Sequence, residues 1–486
     1  MTSVQQALKE IRLESFDFSN RIQSIDQDAR FITEVGSSYR LPLFPNLRCG
    51  AWYTDPEISQ KDAAYFKSTD GHIHNWSFNL RRPNLHLLLY ILEYGGLLIV
   101  DSTTRGKRLP DALSKTVPIW CATINRAIQI RGCPLNWDSD LYTPPSVVSQ
   151  SEHTQIETFI DGWARDLVAS FYDLPCLLKP LRPIWITPET TRLPVIDSDG
   201  PFYPVICISA SRVVEAGTNL REGGFTYVQG AGDDHETWSK GITPDLFWKH
   251  RSELVQTDRD AIDQLISRIL SSKPSPSDSS HQPAEKILVE SILSDITPVK
   301  HVNSCLSIAK LSSFDVERFS DLILPDNTTA YILISPTPPP SLLTNPVTYP
   351  SSSNILLHHL PPGKKGQLSF LTSLLPTCLP FIGRKSRNLH DKNKILIACE
   401  SGKDASVGLA LAALQLYFNN LGDPIEGDIG EVDVSKASLQ MRLQWIVASR
   451  PEANPSRTTL KRVNEYLMSD RSFRSVHPTS TESGVS

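Results

Sequence analysis

The stretch ILIACESGKDASVGLALAALQLYF, residues 395–418, runs from a β-branched apolar segment through a short polar loop into a helix-compatible segment. A strand, a tight polar loop and then a helix is how an α/β sheet presents backbone N–H groups to an anion. Two further segments share the pattern. LLIV ends in DSTTRGK (97–107), and VICI ends in SASR (205–212). In the first of these, hydroxyls, a glycine and a lysine cluster as they do at 399–406. The second reads equally well as an ordinary strand end. Together the three predict an α/β protein.

Around the first stretch, LSFLTSLLPTCLPFI (368–382) predicts a helix before the strand. Strands are expected at Tyr331–Ile334 and Asn354–Leu357, with the Pro- and Ser-rich segment 335–353 inserted between them. Residues 399–406 resemble the phosphate loop of the cysteine-dependent dual-specificity phosphatases, Cys-x-x-Gly-x-x-Arg-Ser/Thr. Cys399, Gly402 and Ser406 match, and the similarity extends over roughly residues 320–470. Two departures matter. Ala405 stands where that family has the arginine that clamps phosphate with two hydrogen bonds. The upstream segment HHLPPGKKG (358–366) offers no carboxyl to protonate a leaving group. What remains is a ring of backbone amides with Cys399, Ser401, Gly402, Lys403, Asp404 and Ser406, which suits a phosphate held but not hydrolysed. Just upstream, residues 361–394 carry seven basic residues against one acid in a chain of net charge −5. Of these, Lys364, Lys365, Arg384, Lys385 and Arg387 are the expected RNA-backbone contacts. A solvated surface face is the alternative.

Toward the N-terminus, Phe18, Ile22, Ile25, Ala29 and Ile32 fall at helical spacing. A Pro- and Gly-containing loop is expected from Leu41 to Pro56. After the strand ending at Asp101, the residues Ser102, Thr103, Thr104, Arg105, Gly106 and Lys107 are suited to donate to phosphate oxygens. An exposed basic turn is the other reading. Phosphoribosyltransferases place an acid and then Thr- and Gly-rich residues at such a strand end, although the second adjacent acid is absent here. A third cluster, GGFTYVQGAGDDHETW (223–238), sets Asp233 and Asp234 after a glycine turn. Adjacent carboxyls suit Mg²⁺ beside a pyrophosphate; acids at a helix N-terminus are the alternative. His72, His74 and His86 read as structural residues or RNA contacts.

The chain has 486 residues, which predicts more than one domain. Its 40% apolar and 21% charged content is that of a globular protein. The eight cysteines include no Cys-x-x-Cys pair, which argues against a zinc knuckle and for reduced, buried thiols. The N-terminus lacks the apolar core of a secretory signal. Leu85–Val100, the most apolar stretch, is short for a membrane span and contains Glu93. A Pro/Ser linker at 271–285 separates an N-terminal domain, 1–270, from a C-terminal domain, 286–475, with a flexible tail at 476–486.

Seven segments then occur in order: DGHIHNWSFNLRRPNLHLL (70–88), IVDSTTRGKRLPDALSKTVPIWCATINRA (99–127), RPIWITP (182–188), SASR (209–212), GGFTYVQGAGDDHETWSKGITPDLFW (223–248), CESGKDASVG (399–408) and ANPSRTTLKRVNEYLM (453–468). As a set they resemble the initiator-tRNA 2′-O-ribosyl phosphate transferases of fungi and plants. The resemblance implies an N-terminal family-specific α/β domain followed by an α/β phosphatase-like domain. It implies cytoplasmic transfer of a ribosyl phosphate from phosphoribosyl pyrophosphate to the 2′-hydroxyl of a T-stem adenosine, at position 64, in initiator methionine tRNA. In that chemistry Asp101 is the expected general base, and Asp233 and Asp234 hold Mg²⁺. The Cys399 loop holds a donor or RNA phosphate, and Arg81 and Arg82 contact RNA. A cysteine-dependent phosphatase and a non-catalytic RNA-binding protein are the competing readings.

Overall fold

The computed structural model describes residues 13–47, 49–104, 106–133, 137–197, 199–214, 218–221, 224–271, 287–312, 322–324, 328–338, 347–348, 354–386, 394–425 and 434–469. The chain divides into two compact units, Met1–Ser275 and Pro276–Ser486. Residues 272–285 of the expected linker and the whole of the expected tail fall outside the described residues.

In the first unit, four parallel strands, β1 (Leu43–Pro45), β2 (Leu97–Asp101), β3 (Leu181–Ile186) and β4 (Tyr203–Ser209), lie in the order β1-β2-β4-β3. The helix Phe18–Ser38 starts at Asp17, whose side chain accepts the amide of Asn20. Phe18, Ile22, Ile25 and Ile32 pack with Leu98, Val100, Ile206 and Ile208 in one core. Because strand side chains alternate, the remaining residues of β2 and β4 face the other side. There the helix Val117–Ile130 lies against β3 and the helix Gln150–Ala169.

Three expectations change here. The segment Leu41–Pro56 is not all loop. It contains β1 and a short helix, Gly50–Tyr53, because Leu43 and Phe44 pair with Leu98 and Ile99 and are buried. Among the described residues no helix lies between β4 and the antiparallel pair that comes next, β5 (Thr218–Leu220) and β6 (Thr226–Val228). Cys133 and Cys176 form a disulfide rather than staying reduced. The two segments meet because Arg131 donates to the main-chain oxygens of Tyr172, at 3.0 Å, and Leu174, at 3.4 Å. The other six cysteines are not in disulfides.

The second unit carries a short parallel pair, β7 (Ile287–Leu288) with β10 (Leu322–Ile323), and a six-stranded sheet. The sheet comprises β8 (Leu293–Pro298), β9 (Leu306–Leu311), β11 (Thr329–Ser335), β12 (Val347–Thr348), β13 (Ile355–His359) and β14 (Lys394–Cys399). Their order is β12-β13-β11-β14-β9-β8, with antiparallel strands only at the two edges. The helix Ala405–Tyr417 follows β14 directly. Its residues from Ser406 to Tyr417 are all buried, as expected of a helix apolar on every side. It packs against the helices Leu375–Ser386, Lys436–Ser449 and Arg457–Met468. Among the described residues, no helix is long and apolar enough to cross a membrane.

The packing of this central helix depends on Gly408. A Cβ there would stand 2.4 Å from Thr459 Cγ2 and 2.9 Å from Phe370 Cζ. Helix propensity favours alanine over glycine by about 1 kcal/mol, whereas overpacking costs ~1–3 kcal/mol. Gly408→Ala is therefore expected to lower the denaturant midpoint of the C-terminal unit. A raised midpoint would show that Thr459 and Phe370 yield freely.

Candidate functional site

In the first unit the C-terminal ends of β2 and β4 lie side by side, with Asp101 opposite Ser209. That edge is where parallel α/β sheets take ligands. Buried hydrogen bonds tie its loops together. Ser102 Oγ and Ser211 Oγ are 2.7 Å apart, and Ser211 Oγ is 2.7 Å from Asp28 Oδ2. Tyr227 OH is 2.9 Å from Asp28 Oδ1 and accepts the amide of Arg212 at 2.9 Å. Gln229 joins the loops again: its Oε1 accepts the amides of Gly106 and Val214, each at 3.0 Å, and its Nε2 donates to Lys107 O at 2.7 Å. Gly230 (φ +68°) lets the third loop close on the first, since a Cβ there would meet Thr103 O at 2.7 Å. The DSTTRGK and GGFTYVQGAGDD segments thus share one edge.

This arrangement redistributes the expected roles. Asp101 is fully buried. Its Oδ2 accepts Asn46 Nδ2 at 2.8 Å, and its Oδ1 accepts Ser102 N at 2.8 Å and Cys49 Sγ at 2.9 Å. The structure thus places Asp101, the expected general base, as an anchor between these loops. Ser102 and Thr103 are also buried and belong to the scaffold; Thr104, Gly106 and Lys107 face solvent. Arg105 lies outside the described residues. Asp233 is half-buried, and Asp234 is exposed with a left-handed backbone (φ +47°). A single 3-10 turn, His235–Thr237, follows them, not an α-helix. Among the described residues, no three His, Cys, Asp or Glu side chains gather as an ion site. Mg²⁺ bound to substrate phosphates needs only one or two protein carboxyls, and these two adjacent acids fit that need.

Asp28, Ser211, Tyr227 and Gln229 were not singled out from sequence. Burial pushes the Asp28 carboxyl up to about 8, against the opposing pull of its hydrogen bonds to Ser211 and Tyr227. It sits in the apolar stripe of a helix, where sequence offers no sign of a partner.

In the second unit, a pocket of about 280 Å³ opens where β14 meets its helix. Cys399, Glu400, Ser401, Asp404 and Ala405 form its floor. Leu360, Pro361, Pro362 and Phe370 make an apolar wall, and Ser456, Thr459 and Arg462 close the far side. The loop turns at Gly402 (φ +63°), whose amide donates to Cys399 O at 3.0 Å. Arg450 supports the turn from beneath, donating through Nε to Gly402 O at 2.9 Å. The amides of Ala405, Ser406 and Val407 begin the helix and have no intrahelical acceptor. Gly402, Lys403 and Ser406 do not line the pocket. Ser406 is fully buried, its Oγ 3.1 Å from Cys399 Sγ. No carboxyl comes from 358–366. His358 is buried against Ser373, and burial lowers its pKa to about 4.

The last described helix, Arg457–Met468, is the wall that sequence reasoning missed. Asp404 Oδ1 accepts Ser456 N at 2.8 Å, and Asn454 N donates to Lys403 O at 3.0 Å, which seats this helix on the loop. Thr459 and Arg462 stand three residues apart on one face, a signal present in ANPSRTTLKRVNEYLM but not used. Of the expected RNA contacts, Lys364, Lys365 and Arg384 are exposed. Lys385 is half-buried, with Nζ 2.5 Å from Asn354 Oδ1, and Arg81 is half-buried. Arg82 has its guanidinium buried in an ion pair with Asp70 at 2.8 Å. Arg387 lies outside the described residues.

Residues 11–271 match the family model described as the Rit1 N-terminal domain, and residues 354–467 match the Rit1 DUSP-like domain. An uncharacterized protein of Schizosaccharomyces pombe is 34% identical, covering 95% of this chain and 97% of its own. A Saccharomyces cerevisiae protein named tRNA A64-2′-O-ribosylphosphate transferase is 32% identical, covering 96% of this chain and 95% of its own. The crystal structure of human DUSP28 matches 39% of this chain and 96% of its own, at 14% identity and a TM-score of 0.21.

Asp101→Asn turns an amide NH₂ toward donors that now bond to the carboxyl. It should destabilise the first unit by ~1–3 kcal/mol, measured by urea unfolding, with activity falling only as the folded fraction falls. Normal stability with lost turnover would return Asp101 to the chemistry. Asp28 gives a pH signature. Its folded pKa exceeds the unfolded value, so its contribution is full below about pH 4 and is lost as pH rises through about 8. The melting temperature should therefore decline from pH 6 to pH 8.5, and decline less steeply in Asp28→Asn.

Proposed function

The chain belongs to the Rit1 family, and on that premise we propose that it modifies tRNA by ribosyl phosphate transfer. The donor is phosphoribosyl pyrophosphate, and the acceptor is the 2′-hydroxyl of adenosine 64 in cytoplasmic initiator methionine tRNA. The observation that carries this reading is the full-length kinship with the Saccharomyces protein named tRNA A64-2′-O-ribosylphosphate transferase.

The chemistry is a displacement at the anomeric carbon. The bond from C1′ to pyrophosphate breaks, the bond from C1′ to the tRNA 2′-oxygen forms, and the proton of the 2′-hydroxyl passes to the departing pyrophosphate or to solvent. Thr104 and Lys107 face solvent at the edge of the parallel sheet and are the groups offered to the donor's phosphates. Asp233 and Asp234, on the loop that closes against them through Gly230, would hold Mg²⁺. The ion would supply charge neutralisation for the departing pyrophosphate. Asp101 holds the floor of the site and is not assigned proton transfer. The Cys399 loop binds phosphate without cleaving it, since Ala405 removes the clamp and residues 358–366 offer no acid.

Incubating the full chain with radiolabelled donor, Mg²⁺ and initiator tRNA should label the tRNA, and chelating the metal should abolish the label. Cys399→Ser should retain transfer. Absence of label with wild-type protein, or phosphate release that depends on Cys399, would overturn the reading.

A further inference from the structure

The pocket of the second unit lacks the arginine of its loop, yet it does not lack a guanidinium. Arg462, on the helix Arg457–Met468, lines it together with Ala405. Its Nη1 pairs with Glu465 Oε2 at 2.6 Å, while its Nε is buried with no hydrogen-bond partner. Ser456 and Thr459 bring hydroxyls to the same wall.

The pocket also has a charge that selects its ligand. Glu400 and Asp404 line it together with the one arginine, and Glu465 already engages that arginine. A phosphomonoester brings two negative charges into this field, whereas a phosphodiester brings one. The apolar wall of Leu360, Pro361 and Phe370 suits a sugar rather than a second charged group. Lys364 and Lys365 are exposed on the helix Gly363–Ser369, whose Gly363 and Gly366 line the rim. That places cations where neighbouring phosphates of a strand would run.

We propose that Arg462 replaces the missing loop arginine and that the pocket seats one phosphodiester of the tRNA backbone. This rests on the reading of the chain as a tRNA-modifying enzyme. Arg462 is thus a binding residue for the acceptor, remote in sequence from the loop it completes.

The test is tRNA binding by the full chain across a salt series, scored separately from ribosyl transfer. Arg462→Ala should weaken binding about tenfold and reduce the slope of log K against log salt by about one. Adding Ala405→Arg to Arg462→Ala should restore both, because the guanidinium returns from the other wall. Glu465→Gln should tighten binding a few-fold by releasing Arg462; this arm stands even if Arg462→Ala melts early. A diester dinucleotide should displace tRNA at lower concentration than inorganic phosphate or a phosphopeptide. Unchanged affinity in Arg462→Ala and Glu465→Gln would overturn the proposal, as would a loss that Ala405→Arg leaves unrepaired in folded protein. Stronger competition by the monoesters would overturn the diester assignment. Failure of transfer with these binding effects intact would count against the proposed activity alone.

Discussion

The first unit depends on a carboxyl placed where a helix should be apolar. Asp28 lies in the core stripe of Phe18–Ser38, and its two oxygens meet Ser211 and Tyr227. Burying a carboxyl away from water is costly unless it is hydrogen-bonded, and here the bonds fix two loops at once. Ser211 passes the connection to Ser102 and Gly230, and Tyr227 to Arg212. A well-satisfied buried network specifies one arrangement of the groups around it. The exposed Thr104, Lys107 and Asp234 are therefore carried on loops whose roots cannot slide independently.

The second unit solves a similar problem by packing. Its central helix is buried along nearly its whole length, so the preceding loop has little freedom of position. Arg450 and Asp404 then tie that loop to β8 and to the last helix: Arg450 Nη1 donates to Asp295 O at 2.6 Å, and Asp404 accepts Ser456 N. These bonds fix the loop although two of the groups that make phosphatase loops hydrolytic are missing.

Much of this was legible because periodicity reports burial. The stripe from Phe18 to Ile32, the strands ending at Asp101 and Cys399, and the helix after Ser406 all follow from spacing and apolar runs. Roles at the sites were less legible, because a polar residue at a strand end looks the same whether it faces ligand or holds a neighbouring loop. Asp101, Ser102 and Ser406 were read as facing ligand and are internal. Arg82 was read as an RNA contact, and its guanidinium is paired with Asp70, twelve residues earlier. Asp28 and Arg462 were missed for the converse reason. Each acts on a segment far away in sequence, and one chain without a structure carries no sign of that juxtaposition.

The seating of the last helix on the phosphate loop has a consequence for how the protein is made. Strand, loop and central helix leave the ribosome well before Asn454, Ser456 and Arg462 do. Until those residues emerge, Lys403 O and the Asp404 carboxyl lack their final partners, and the pocket is open on one side. Domains fold as units in the order of synthesis, so this unit completes neither its core nor its pocket until its last helix has emerged. Messages cut short before this helix would yield chains without the binding site.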